Sequence, residues 1–212
     1  MMHKLLNELF PNFTCVSCAC EMNNSPNGYL CQKCMDALPF NDDITDKTHH
    51  SPFTYADPVK KMILSLKYSD NGLVACAVAP YMAAMFMQAN PKTYHKFTLV
   101  PVPLCASRLR ERGYNQSDLL ANEISKHSEL PVLTNVLQRI KKTAPQKKMT
   151  AEQRAANIAG AFAVADPGQI SGKYICIIDD VYTTGATANE CTKVLKKAGA
   201  KQVKILTAAT VV

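Results

Sequence analysis

Apolar residues in this chain fall into two patterns. Tyr174, Ile175, Cys176, Ile177 and Ile178 form a short uninterrupted run, which is how a strand buried on both faces of a parallel sheet reads. Residues 97–102 and 203–208 make two further strands of this kind, residues 132–137 another strand, and residues 162–164 a short one. Between them the spacing turns helical. Val59, Met62, Ile63 and Leu66 share one face of a helix that starts at Asp57-Pro58, where Asp caps and Pro fits the first turn. Residues 73–88, rich in Ala and Met, predict a core helix, and Leu119, Leu120 and Ile124 mark an amphipathic one. Thr150 and Gln153 give a capping box for a short helix to about Ile158, and a last helix runs from about Ala188 to Ala198 before Gly199. Strands alternating with helices predict an α/β fold with a mainly parallel sheet flanked by helices.

The polar breaks after the strands hold the candidate chemistry. The run 174–178 is followed at once by Asp179 and Asp180, then by a small-residue loop of Thr183, Thr184, Gly185, Ala186 and Thr187. Gly185 lets the backbone approach a ligand closely, the Thr hydroxyls donate, and the free N–H groups of the helix start favour an anion. The two carboxylates repel phosphate but accept hydrogen bonds from sugar hydroxyls and hold Mg²⁺ directly or through water. A phosphorylated ribose satisfies both halves, with the acids expected to be exposed at the sheet end. After residues 97–102 come Arg108, Arg110, Arg112 and Gly113, placed where open α/β sheets bind ligands. A guanidinium pairs bidentately with phosphate oxygens, so Arg108, Arg112 and Gly113 are candidates for a pyrophosphate.

Charge and cysteine usage add a second region. Residues 1–57 hold three Lys against seven acids, so the net charge of +7 conceals a strongly basic remainder. Arg139, Lys141, Lys142, Lys147 and Lys148 crowd what reads as one loop, a candidate track for nucleic-acid phosphates. Five of the nine Cys lie in the first 34 residues. Cys15-x-x-Cys18 and Cys31-x-x-Cys34 are paired knuckles across a turn-rich segment, the spacing of a four-thiolate Zn²⁺ ribbon, with Cys20 left as a bystander. So small a segment has almost no core, and the metal supplies its folding free energy. Residues 39–52 read as a polar linker with His49 and His50 in solvent. The expected division is therefore a ribbon and linker over 1–50 and an α/β domain over 51–212. The first ten residues are too short and charged for a signal peptide, and no apolar run is long enough to span a bilayer, so a cytoplasmic protein without membrane insertion is expected.

Taken in order, the four-Cys ribbon, I-L-S-L-K-Y (63–68), P-V-P-L with R-L-R-E-R-G-Y-N-Q (101–116), R-x-x-x-T-x-x-Q (139–146), R-x-x-N (154–157) and D-D-V-Y-T-T-G-A-T (179–187) resemble the ComF family along nearly the whole chain. The last motif resembles the phosphoribosyl pyrophosphate (PRPP) motif of type I phosphoribosyltransferases. The resemblance implies a phosphoribosyltransferase-like domain behind a zinc ribbon, and a competence protein that takes part in DNA uptake and natural transformation. PRPP with Mg²⁺ and single-stranded DNA are the implied ligands, and a protein of the competence machinery is the candidate partner of the ribbon. In purine salvage members of the superfamily a third acid of this loop serves the base; the matching position here is Thr183, which is no base at pH 7 and argues against hypoxanthine-guanine salvage. The second reading is an active Mg²⁺-dependent phosphoribosyltransferase, a glycosyltransferase acting on PRPP with an unidentified acceptor in nucleotide metabolism.

Overall fold

The structure is a computed structural model that describes residues 14–22, 28–68, 71–141 and 150–211. Its elements in chain order are α1 (Gln32–Asp36), β1 (His49–His50), β2 (Phe53–Thr54), α2 (Val59–Tyr68), α3 (Leu73–Ala89), β3 (Phe97–Pro101), α4 (Ala106–Arg112), α5 (Gln116–Ser128), β4 (Leu137–Arg139), α6 (Ala151–Ile158), β5 (Phe162–Val164), β6 (Tyr174–Tyr182), α7 (Ala186–Lys197) and β7 (Gln202–Thr210). One sheet runs β1-β7-β6-β3, with β2 also on β7, and each of its pairings is parallel. Strands β4 and β5 form a separate antiparallel pair. The expected α/β architecture is therefore observed.

Alternation along β6 explains the layering, since successive side chains of a strand point to opposite faces. Cys176 and Ile178 join one buried cluster with α2, α3 and α5, including Met62, Val78, Phe86 and Ile124. Ile175 and Ile177 join the other, with Leu195 and Cys191 of α7 and with Val136, Leu137 and Phe162. An apolar residue at every position from 175 to 178 is thus required by helices on both sides. No helix among the described residues is long and apolar enough to cross a membrane.

Residues 39–54 are not a solvated linker. Asn41 N–H donates to Pro52 O at 2.8 Å and Thr54 N–H to Pro39 O at 2.9 Å, closing the segment on itself. Phe40, Phe53 and Tyr81 of α3 then meet with ring centroids 5.3 to 5.7 Å apart. Strands β1 and β2 add to β7, which turns His50 inward until 1 % of it is exposed and half-buries His49. One nitrogen of each ring finds a partner: His50 Nε2 lies 3.4 Å from Asn90 Nδ2, and His49 Nε2 lies 3.0 Å from Thr207 Oγ1, while His50 Nδ1 is buried without one. Residue 50 itself falls in β1, within the main sheet, and Leu30, Cys34 and Leu38 belong to the same buried cluster as α3.

Candidate functional site

Strand β6 continues four residues past its apolar run, and Asp179, Val181 and Tyr182 still pair with β7. The chain then turns through Thr183 and Thr184 to Gly185, whose φ of 73° is left-handed and costs a residue without Cβ little. Gly185 is the N-cap of α7, which starts two residues earlier than the spacing suggested, and no side chain caps it. The N–H groups of the first turn of α7 therefore face the loop without a side-chain acceptor, the usual setting for an anion. Asp179, residues 181–188 and Thr207 line a pocket at this end of the sheet. Thr183 and Thr184 are exposed and Ala186 and Thr187 half-buried on it. The loop and the first acid of the pair thus share one cavity.

The acids are not exposed at a sheet end. Asp180 is 4 % exposed, and its Oδ1 pairs with Lys67 Nζ of α2 at 3.0 Å. Asp179 is half-buried and its Oδ1 accepts from Ser117 Oγ of α5 at 3.1 Å and from the Asp180 N–H at 2.9 Å. The reason is the length of β6: both acids sit inside the strand, between helices α2 and α5. Burial, and then the neighbouring Asp180 charge, push Asp179 up to about 7. The ion pair raises Lys67 above its usual range against the opposing pull of desolvation. One buried oxygen, Asp180 Oδ2, has no hydrogen-bond partner. An acceptor left over beside a second carboxylate fits a hydrated Mg²⁺ or a sugar hydroxyl.

The basic candidates divide by place. Arg108 is exposed in the first turn of α4 and Arg112 half-buried at its end, where exposed Gly113 terminates the helix at φ 80° with its N–H on Leu109 O at 2.8 Å. The Arg112 guanidinium bonds Gln116 Oε1 and lies 5.6 Å from the Tyr68 ring centre, so α4, α2 and the start of α5 are fastened together next to Ser117 and Asp179. Arg139 is not in a loop but on β4, half-buried with its guanidinium 5.6 Å from the centre of Phe162. Burial lowers its pKa, and Arg108, Cys105 and Asp179 lie within electrostatic range. Lys141 is exposed; Lys142, Lys147 and Lys148 lie outside the described residues.

At the other end of the chain, the Sγ atoms of Cys15, Cys18, Cys31 and Cys34 all lie within 4.8 Å of one another. A tetrahedron with Zn–S bonds near 2.3 Å has edges of about 3.8 Å, and Cys18 Sγ stands 3.8 Å from Cys31 Sγ. The cluster fits a metal such as zinc; Cys20 is not one of the four, though its thiol interacts with those of Cys18 and Cys31. Short-range geometry builds it: Ala19 N–H donates to Cys15 O at 2.8 Å in the first knuckle, and α1 carries Cys34 in the second, its Met35 N–H on Cys31 O at 3.0 Å.

Sequence reading missed the residues that hold the pocket acids. Lys67 follows Ile63 by four, which places it on the buried face of α2 and was the available signal. Ser117 and Thr207 gave none. Arg154 of α6 reaches Thr183 Oγ1 at 3.4 Å, and the capping box of Thr150 and Gln153 fixes the start of that helix as expected.

The Phosphoribosyl transferase domain model matches residues 114–211, the stretch containing α5 to β7 and thus both acids and the loop. The chain is 27 % identical over 220 residues to Competence protein F of Haemophilus influenzae, covering 92 % of this chain and 96 % of the relative. It is 32 % identical over 153 residues to DNA utilization protein YhgH of Escherichia coli (71 % and 66 % covered). To Competence protein ComFC of Streptococcus pneumoniae it is 30 % identical over 175 residues, with 82 % and 74 % covered. Four clustered thiols ahead of a parallel sheet with a phosphoribosyltransferase-type loop, together with these relatives, place the chain in the ComF family.

Proposed function

We propose that this protein binds PRPP, or a closely related ribose phosphate, with Mg²⁺ in the β6–α7 pocket, and handles single-stranded DNA through its basic surface during DNA uptake. The observation that carries the reading is one cavity shared by Asp179, residues 183–187 and the uncapped start of α7. The 5′-phosphate fits the N–H groups and the hydroxyls of Thr183, Thr184 and Thr187. Asp179 and Asp180 take the ribose hydroxyls and the Mg²⁺, which offsets charge on the pyrophosphate. Arg112, at the end of α4 and bonded to Gln116, and exposed Arg108, in the first turn of α4, meet the pyrophosphate end. Of the nucleic-acid candidates, exposed Lys141 belongs to the DNA surface, while half-buried Arg139 serves at the junction of the two. In this reading the knuckles of Cys15, Cys18, Cys31 and Cys34 form a ribbon held by Zn²⁺ on four thiolates, available to a protein of the uptake machinery.

Calorimetric titration with PRPP and Mg²⁺, repeated with a short single-stranded oligonucleotide, tests this. Saturable PRPP binding is expected, weakened by about 1 to 3 kcal/mol in Asp179→Asn, which keeps the shape and removes the charge. Oligonucleotide affinity should fall steeply between 50 and 200 mM salt, as phosphate contacts require. No heat with PRPP, while the oligonucleotide still binds, would leave the pocket to another ligand.

A further inference from the structure

The segment between the ribbon and the sheet carries an imidazole to the wall of the pocket. Asp179 on β6 is opposite Thr207 on β7, and His49 on β1 is opposite Ile205, two residues before Thr207. Asp179, Thr207 and His49 therefore stand on three adjacent strands and one face of the sheet. His49 Nε2 lies 3.0 Å from Thr207 Oγ1. Because the Thr207 hydroxyl donates its own proton to Ala209 O at 3.2 Å, His49 Nε2–H is the donor and Thr207 Oγ1 the acceptor. The ring also stacks on Tyr182, with centroids 3.9 Å apart and planes 19° from parallel.

Tyr182 in turn lies against the loop glycine. A Cβ at Gly185 would stand 2.3 Å from the Tyr182 hydroxyl oxygen and 2.8 Å from the ring carbon that bears it, so the ring packs directly on the glycine backbone. The strap that brings His49 is itself fixed: Asp46 Oδ1 accepts from the Thr48 N–H at 2.7 Å, from Thr48 Oγ1 at 2.7 Å and from the His49 N–H at 3.2 Å.

We infer that His49 is a positioning residue for the phosphate loop: it clamps the Tyr182 ring, and the clamped ring is the surface on which Gly185 turns the chain into α7. A tyrosine at the end of a strand has several open rotamers. Here one ring face is covered by the imidazole and the hydroxyl end abuts Gly185, so swinging the ring breaks the stack and leaves the glycine turn without its support. The N–H groups of the loop are then held in their anion-facing arrangement before any ligand arrives, which spares the cost of ordering them on binding. Sequence distance hides the link, since His49 precedes the loop it supports by more than 130 residues.

The affinity arm of the test rests on the ribose-phosphate reading above, and the exchange arm does not. Amide hydrogen exchange of residues 184–188 in the ligand-free protein and calorimetry with PRPP and Mg²⁺ are measured for wild type, His49→Ala, His49→Phe, Tyr182→Leu and the Tyr182→Leu/His49→Ala pair. Exchange in the loop should rise about tenfold in His49→Ala and PRPP affinity should fall by a similar factor, the scale of one aromatic pair. His49→Phe keeps a ring on Tyr182 and should stay near wild type in both. In the Tyr182→Leu background, His49→Ala should add nothing. Unchanged loop exchange in His49→Ala, or a Phe variant as loose as the Ala variant, overturns the clamp. If the exchange pattern holds and wild type binds no PRPP, the clamp stands and the ribose-phosphate reading falls.

Discussion

The cysteine cluster and the β6–α7 pocket solve the same problem, holding polar groups in a fixed constellation, by opposite means. In the pocket the backbone does it: Asp179 and Tyr182 are set by strand pairing, and Gly185 by a turn between two regular elements. In the ribbon, two short knuckles bring four thiols within 4.8 Å, and thiolates that close repel until a cation sits among them. The pocket is thus built by the fold, whereas on the proposed reading a metal on the four thiols completes the ribbon. The contrast is softened by the packing of Leu30, Cys34 and Leu38 into the same buried cluster as α3.

The largest expected effect lies on the ribbon side. Cys31→Ser should lose the metal, and with it folding free energy on the order of 10 kcal/mol for a metal-held module. Zinc analysis and amide exchange over residues 14–38 measure this, and because the ribbon shares a core with α3 the melting temperature of the whole chain should drop as well. Full metal retention contradicts the four-thiolate assignment. On the pocket side, Lys67→Met strands the Asp180 carboxylate in a site that is 4 % exposed. Breaking one half of a buried pair costs about 3 kcal/mol, read from urea unfolding, with zinc content unchanged. A change under about 1 kcal/mol would mean that solvent, and not Lys67, balances Asp180.

A smaller effect separates the pocket from the strap that braces it. Asp179 is pushed up to about 7 and His50 is lowered to about 4, chiefly by burial in both cases. For Asp179 the folded state binds the proton more tightly, so its contribution is present below about pH 4 and is lost as pH rises through about 7. For His50 the folded state resists the proton, so its contribution is present above about pH 6.5 and is lost as pH falls toward 4. The two slopes oppose each other between pH 4 and 7. Asp179→Asn should make stability rise with pH over that window, and His50→Gln should make it fall. Equal slopes in both variants would show that neither group carries the assigned shift.

How much of this was legible follows from what repeats along a sequence. The run Ile175–Ile178 declared a doubly buried strand because both neighbours are apolar layers, and the Thr150–Gln153 box and Gly199 marked helix ends through local hydrogen bonds. The paired Cys spacing was equally local. Strand β1 was not legible, because two histidines at a sheet edge have no apolar period and their partners, Asn90 and Thr207, are distant in the chain. The continuation of β6 through Asp179 and Asp180 was hidden for a related reason. Acids normally end a strand, and here Lys67 and Ser117 arrive from two helices to keep them inside it. The strand expected over 132–137 is reduced to a bridge between Val132 and Leu99 and to the start of β4, whose register is set by β5.

On the proposed reading the backbone of the β6–α7 turn, already shaped in the free protein, receives the phosphate of a ribose phosphate. Backbone amide chemical shifts followed by NMR during titration with PRPP and Mg²⁺ test it most directly. Saturable shifts are expected to begin at residues 184–188 and at Asp179, with little change across the four-Cys region. Saturable shifts confined to α4 or the ribbon, with the amides of 184–188 unmoved, would contradict it.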